Sequence, residues 1–341
     1  MTIKDIAKES GYSLGTVSRA LNGRPEVSGA ARKKILEVAQ KHHFQLNNNA
    51  KHLKQQQRSG IAVLVKGTRN LLFAAIVEQL QGLIESLGYA CLIYYIKEED
   101  NEVLQALQVL RERHPQGILF LGSSLSHFER DFSKITVPCC LVTNSGEELG
   151  FSNLSSVSTD DRAAARFAVE TLLGLGHRNI GILGGKMERS AAACARYTGC
   201  EEAFRAAGLP FDAESQFESA RFAMESGYEA MERLLLKRPD LTAVFAMSDV
   251  MAVGAIRAIR DRGLRVPEDI SLMGFDGVEL GQFFSPRLTT IAQDADGLAR
   301  ESVALLNLAI LGETSAKHQR LPFQFVEGES AARREKGGDK P

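Results

Sequence analysis

Thr16, Ser18, Arg19 and Asn22 crowd around Val17 and Leu21 in the stretch SLGTVSRALN. On a helix, Val17 and Leu21 stand four residues apart and face one side. Two hydroxyls, a guanidinium and a carboxamide are then left on the open side. Such groups bond phosphate oxygens and base edges, and an arginine can meet a guanine edge bidentately. That chemistry needs a helix docked by its apolar side and presented by its polar side. The residues before it supply the partner. Thr2 is expected as an N-cap, Asp5 sits in the first turn, Ile3, Ile6 and Ala7 make an apolar face, and Gly11 suits a helix end. Ser13 then caps the second helix. The pattern predicts a helix-turn-helix, the unit that enters the major groove. Ser28 is expected to cap a third helix, GAARKKILEVAQKHHF, with Ile35, Val38 and Ala39 inward.

The charge distribution agrees. The whole chain carries a net charge of −1, yet residues 1–58 hold 11 Lys/Arg against 4 Asp/Glu. The remainder holds 30 basic against 38 acidic residues. A head of +7 on a body of −8 implies that the head meets a polyanion and the body does not. At 341 residues and 44% hydrophobic, the chain can bury a large core in two or three domains. It shows no signal peptide and no apolar stretch long enough for a membrane, so a cytoplasmic location is expected. Five cysteines (91, 139, 140, 194, 200) form no CxxC pair and read as reduced, small buried hydrophobes. Cys194 reads as a packing residue, since no motif sets a histidine beside it.

From residue 60 the rhythm changes. Apolar runs at 61–65, 90–96, 117–122, 139–143, 180–185, 242–247 and 270–276 alternate with helical patterns at 72–87, 101–113, 160–175, 192–207, 225–237 and 249–262. Near-continuous apolar strands between helices predict parallel, doubly wound sheets covered on both faces. Seven strands over this length fit two sheets. The expected divisions are a head at 1–46, a hinge at 47–59, a two-lobed core at 60–327 and a disordered tail at 328–341. The lobe break is expected near 155–160, with the chain crossing back near 288–292 and 319–326. In the polar hinge, Leu53 is an isolated apolar tip. The glycines of GILGG do not make GxGxxG, so no dinucleotide site is expected. No metal cluster or nucleophile–base pattern is evident, and no cofactor is expected. His177 in GHRNIG reads as structural.

The segments TIKDIAKESGYSLGTVSRALNG, AKHLK, GHRNIGILGG, AVFAMSDVMAVGAIRAIRDRGLRVPEDISLMGFD and SPRLTTI follow one another in an order that is itself specific. In them the chain resembles the LacI/GalR family of bacterial transcription regulators over nearly its whole length. The resemblance implies a small all-α helix-turn-helix head and an α/β two-lobed core like a periplasmic binding protein. At the DNA end it implies phosphate or base contacts for Ser13, Thr16, Ser18, Arg19 and Asn22. Leu14 and Gly15 fall where the family varies residues to choose an operator. Leu53 matches the leucine that wedges into the minor groove, and Lys54 beside it would reach phosphate. In the core, Asp276 and Arg196 match the principal polar ligand contacts between the lobes. Leu72, Phe73 and Phe222 match the apolar walls. Ser248 stands where many sugar-responsive members carry asparagine.

The implied function is a non-enzymatic, sequence-specific regulator. It would be a repressor that binds a near-palindromic operator as a homodimer, controlled by a small molecule, a sugar above all, between the lobes. Two alternatives stay open: a cytosolic sugar receptor without DNA function, and a regulator answering to a nucleoside or purine. The tail has no leucine after Leu321, which leaves nothing from which to build a four-chain leucine bundle.

Overall fold

The computed structural model describes residues 3–21, 27–42, 60–67, 70–187 and 190–334. The chain divides into two compact units, Met1–Arg58 and Ser59–Pro341.

The first unit is built on helices Ile3–Ser10, Leu14–Leu21 and Gly29–Lys41. Ile6, Val17, Ala20, Ala31, Ile35 and Ala39 close its core. Ser13 accepts the Thr16 N–H at 3.2 Å, and Ser28 accepts the Ala31 N–H at 3.4 Å, so two of the three predicted caps are in place, while Thr2 lies outside the described residues. Gly11 takes φ +74° at the end of the first helix, a conformation glycine adopts freely. Glu9 ties the first helix to the end of the third through Lys41 and His42. The predicted hinge, with Leu53 and Lys54, lies outside the described residues, as does Asn22.

The second unit contains two six-stranded sheets. The strands are β1 (Ile61–Lys66), β2 (Cys91–Ile96), β3 (Gly117–Leu121), β4 (Cys139–Val142), β5 (Leu154–Thr159), β6 (Ile180–Gly184), β7 (Phe217–Ser219), β8 (Ala243–Ala246), β9 (Ser271–Asp276), β10 (Thr289–Ala292), β11 (His318–Leu321) and β12 (Gln324–Val326). Their orders are β11-β5-β4-β3-β1-β2 and β12-β10-β9-β8-β6-β7. Every pairing is parallel except β10 with β12. Helices cover both faces of each sheet, as continuous apolar strands require. In β1, Ile61, Val63 and Val65 face a core completed by Ile76, Leu80 and Leu298, while Ala62 and Leu64 face Phe120 and Phe128.

The chain passes between the lobes three times: from β5 to helix Asp161–Gly174, from β10 to helix Ala295–Ile310, and from β11 to β12. Sequence periodicity left β5 and helix Ala295–Ile310 unread. β5 (LSSVST) lacks an apolar run. It is nevertheless fully buried, with Ser156 Oγ bonded to His318 Nδ1 at 2.8 Å and Ser155 accepting the Lys317 N–H.

The expected disorder after residue 328 needs correction for 328–334. Ser330 is wholly buried, donates to the Leu272 carbonyl at 2.6 Å and accepts the Thr289 N–H at 2.9 Å. His177 Nε2 donates to the Ala332 carbonyl, and the Arg334 N–H reaches the Leu175 carbonyl. Backbone hydrogen bonds hold this segment where apolar content cannot. Residues 335–341 lie outside the described residues.

Two helices of the second lobe cross at glycines. A Cβ on Gly254 would collide with the Met224 carbonyl, and one on Gly227 would lie 2.5 Å from the Met251 carbonyl. Helices Met224–Lys237 and Asp249–Asp261 therefore touch backbone to backbone.

Candidate functional site

On the head, helix Leu14–Leu21 buries Val17 and Ala20 and leaves Ser13, Leu14, Gly15 and Arg19 exposed, with Thr16 and Ser18 half-buried. Leu14 is 44% exposed, so it is no core residue of this unit. Arg19 Nε donates to the Gly15 carbonyl at 3.2 Å, and a Cβ at Gly15 would stand in ordinary contact with the guanidinium, 3.7 Å away. Ser13 and Thr16 share a hydroxyl bond of 2.9 Å on the same edge.

In the core unit, a cavity of about 1150 Å³, counted with its open mouth, lies between the lobes at the carboxyl ends of the strands. Ligand sites of doubly wound sheets fall at this position. Each lobe contributes an aromatic ring seated on a glycine. Phe73 covers Gly122 in the first lobe, where a Cβ would lie 2.5 Å from the ring. Phe222 covers Gly185 in the second, where the distance would be 2.7 Å. Each lobe also ends one strand in a strained residue facing the cavity: Thr143 after β4, with φ +78°, and Asp276 at the end of β9, with φ +115°. Such outliers cost roughly 1–3 kcal/mol and concentrate where a side chain must be aimed.

The second lobe holds a buried charged network. Arg196, on helix Ala191–Ala206, donates through Nε to Asp161 Oδ1 at 2.7 Å and through Nη1 to the Met247 carbonyl at 2.6 Å. Its guanidinium stacks on Phe275, 3.7 Å from the ring centre, and Nη1 lies 3.8 Å from Asp276 Oδ1. Asp276 Oδ1 accepts from Gln293 Nε2 at 2.8 Å, and Gln293 Oε1 accepts from the Thr159 hydroxyl at 2.8 Å. Gln293 thereby links the cavity-facing carboxylate to two of the three interlobe passages. Burial raises the Asp276 carboxyl to about 7, against the pull of Arg196. Asp249, behind it, is raised to about 8, by burial first and by the Asp276 charge second. It accepts the Thr290 hydroxyl at 2.6 Å and the Val278 N–H at 2.8 Å. Burial also raises Asp161.

Leu72, Phe73, Arg196, Phe222 and Asp276 all line the cavity. Ser248 does not. It is fully buried, and its hydroxyl accepts the Met251 N–H as the N-cap of helix Asp249–Asp261, which turns it away from the ligand space. Sequence reasoning missed Lys66, Asn70, Thr143, Asn144 and Gln293, which also line it. Of these, Asn70 had a readable signal, since it caps helix Leu71–Ser86 by accepting the Leu72 N–H. At the mouth, Arg221 of the second lobe donates to Glu98 of the first at 2.9 Å. His177 is structural, its ring bonded to Thr242 and Ala332.

Burial raises the thiols of Cys139, Cys140 and Cys200. Cys194 is exposed, contrary to its expected packing role, because its side of helix Ala191–Ala206 faces out. Among the described residues no group of three or more His, Cys, Asp or Glu could hold a metal ion, and no helix is long and apolar enough to cross a membrane.

A helix-turn-helix head joined in one chain to a two-lobed cleft protein defines a class of ligand-responsive DNA-binding regulators. Residues 2–47 match the family described as bacterial regulatory proteins, lacI family, and residues 169–331 match the periplasmic binding protein-like domain. The HTH-type transcriptional regulator MalR of Clostridium butyricum is 34% identical over 336 residues, covering 97% of this chain and 99% of the relative. The structure of the transcriptional regulator CelR bound to cellobiose aligns with a TM-score of 0.71 at 27% identity, covering 97% of this chain and 100% of that one. The lac repressor dimer bound to operator and the anti-inducer ONPF aligns with a TM-score of 0.78 at 25% identity, over 97% and 99% of the two chains. The chain belongs to the LacI family of bacterial transcription regulators.

Proposed function

We propose that this regulator is a cytoplasmic repressor that binds a near-palindromic operator as a homodimer and takes a carbohydrate effector between its core lobes. The observation that carries the reading is the cleft itself. Arg196 and Asp276 present a donor and an acceptor beside two aromatic walls. This combination suits vicinal hydroxyls and the C–H face of a sugar ring. Cellobiose bound to CelR supports a carbohydrate ligand. In the head, Ser13, Leu14, Gly15, Thr16, Ser18, Arg19 and Asn22 would form the major-groove surface, with Leu53 as the minor-groove wedge and Lys54 on phosphate. Turnover of the effector is not part of this reading.

The dimer rests on the lac repressor dimer and on a surface of this chain. β2 is an edge strand of sequence CLIYYI whose Tyr95 is 58% exposed, and Leu71 and Leu87 are exposed at the two ends of the neighbouring helix. An apolar open edge of this kind is usually covered. Effector and DNA binding would be linked by a coupling free energy of about 1–3 kcal/mol. The test is fluorescence anisotropy of the full chain on a library of palindromic duplexes, at two salt concentrations, with and without a sugar panel. Selective, salt-sensitive binding shifted by one sugar is expected. Sequence-blind binding that no sugar shifts would overturn the reading, and a shift by nucleosides instead would replace the carbohydrate with a base.

A further inference from the structure

The first lobe carries a buried charged cluster that the Arg196–Asp276 network does not explain. Lys66, the last residue of β1, is 8% exposed and lines the cleft. Its Nζ donates to Glu102 Oε2 at 2.8 Å. Glu102 is 1% exposed although it opens helix Glu102–Arg113, and its other oxygen accepts the Ser124 N–H at 2.6 Å. His127 Nδ1 lies 2.7 Å from the same Oε2 that Lys66 bonds. A carboxylate only accepts, so His127 donates here. Glu102 is thus held from three sides, and it holds the lysine.

An ammonium has three protons to donate. Among the described residues, Glu102 is the one hydrogen-bond partner of Nζ. A buried charge with donors to spare is costly unless something else meets them. Lys66 lines the cleft, so a ligand oxygen there would meet them.

The charges of the cleft restrict what that ligand is. Three of the four cations on its wall already have a carboxylate: Lys66 with Glu102 at 2.8 Å, Arg196 with Asp161 at 2.7 Å, and Arg221 with Glu98 at 2.9 Å; the fourth, Lys186, is solvent-exposed. Asp276 and Glu99 add negative charge to the same lining. A phosphate entering this cleft would face a carboxylate behind three of its four cations, including both buried ones. Paired ions of this kind suit neutral hydroxyls, which can donate to one member of a pair and accept from the other.

Resting on the carbohydrate reading above, we propose that Lys66, positioned by Glu102, is the first lobe's specificity-determining donor, and that the cleft selects an uncharged polyhydroxylated ligand over the corresponding sugar phosphate. Isothermal titration of the full chain with uncharged mono- and disaccharides, and with their phosphorylated counterparts, tests this. Lys66→Arg and the double variant Lys66→Met with Glu102→Gln are measured beside wild type. The double variant strands no lone charge, and its melting curve and operator binding report its fold.

The expected result is binding of an uncharged sugar, at least tenfold weaker binding of its phosphate, and at least a tenfold loss in the double variant with operator binding kept. Lys66→Arg should regain part of that loss, which a purely structural lysine would not predict. Unchanged sugar affinity in the folded double variant would overturn the role of Lys66, and tighter binding of the phosphate would overturn the ligand class. A protein that binds operator yet takes neither kind of sugar would overturn both this inference and the carbohydrate reading, while leaving the DNA function intact.

Discussion

In the first lobe, Phe73 lies over Gly122, β4 runs out at Thr143 with φ +78°, and the charge at the wall is Lys66 on Glu102. In the second, Phe222 lies over Gly185, β9 ends at Asp276 with φ +115°, and the charge is Arg196 among Asp161, Asp249 and Asp276. The steric parts match, but the electrostatics differ. Among its buried groups the first lobe offers one cation locked to one carboxylate. The second offers a planar guanidinium and more buried carboxylates than it can neutralise, with Gln293 carrying one of them toward the interlobe passages. On the carbohydrate reading, matching walls would hold a ring from both sides. The asymmetric charge would then decide which lobe reads hydroxyls most strongly, and the second lobe's carboxylate is the one wired to the lobe connections.

This comparison can be broken most directly at Asp276. Asp276→Asn should weaken effector binding about 10- to 100-fold, the worth of a charge-assisted hydrogen bond of about 1.5–3 kcal/mol. Titration calorimetry beside the Lys66 double variant ranks the lobes, and a larger loss from the first lobe would reverse the ranking.

A second test concerns rigidity. Gly254→Ala should cost the core about 1–3 kcal/mol through forced separation of its two crossing helices. A melting temperature equal to wild type would show that the contact yields freely.

The pH dependence should come chiefly from the second lobe. Asp249 and Asp276 hold their protons more tightly folded than unfolded. Their contribution to stability is therefore largest below the ordinary aspartate value near 3.8 and declines as pH rises to about 8. Asp249→Asn should flatten the upper part of that decline in denaturant titrations. Effector affinity should move the other way, rising as pH passes about 7, because ionised Asp276 accepts hydroxyl donors. Calorimetry on either side of that pH would expose a flat or inverted profile.

The smallest effect is expected at the rim. Arg221 and Glu98 are 54% and 36% exposed, so Glu98→Gln should change stability by no more than ~1 kcal/mol. A larger shift in thermal unfolding would make this pair a latch between the lobes.

Some of this was written in the residues themselves. Helices announce their starts with local caps, so Ser13 and Ser28 could be read directly. Parallel strands buried on both faces are apolar throughout, so β1, β3, β8 and β9 stood out. Family resemblance placed Arg196, Asp276, Phe73 and Phe222 at the cleft.

The remainder depended on partners remote in the chain. β5 is a strand of serines that survives burial because β11, some 160 residues away, satisfies their hydroxyls. The charged segment 328–334 is ordered because β9 and β10 offer it backbone bonds. Lys66 looks like a surface lysine until Glu102 and His127 are brought beneath it. Ser248 looks like a ligand contact until its hydroxyl is seen capping its own helix. Local periodicity and capping act over a few residues, and the sequence alone determined the elements they build. Satisfaction of buried polar groups acts across the fold, and only the tertiary structure decided which of them face the ligand.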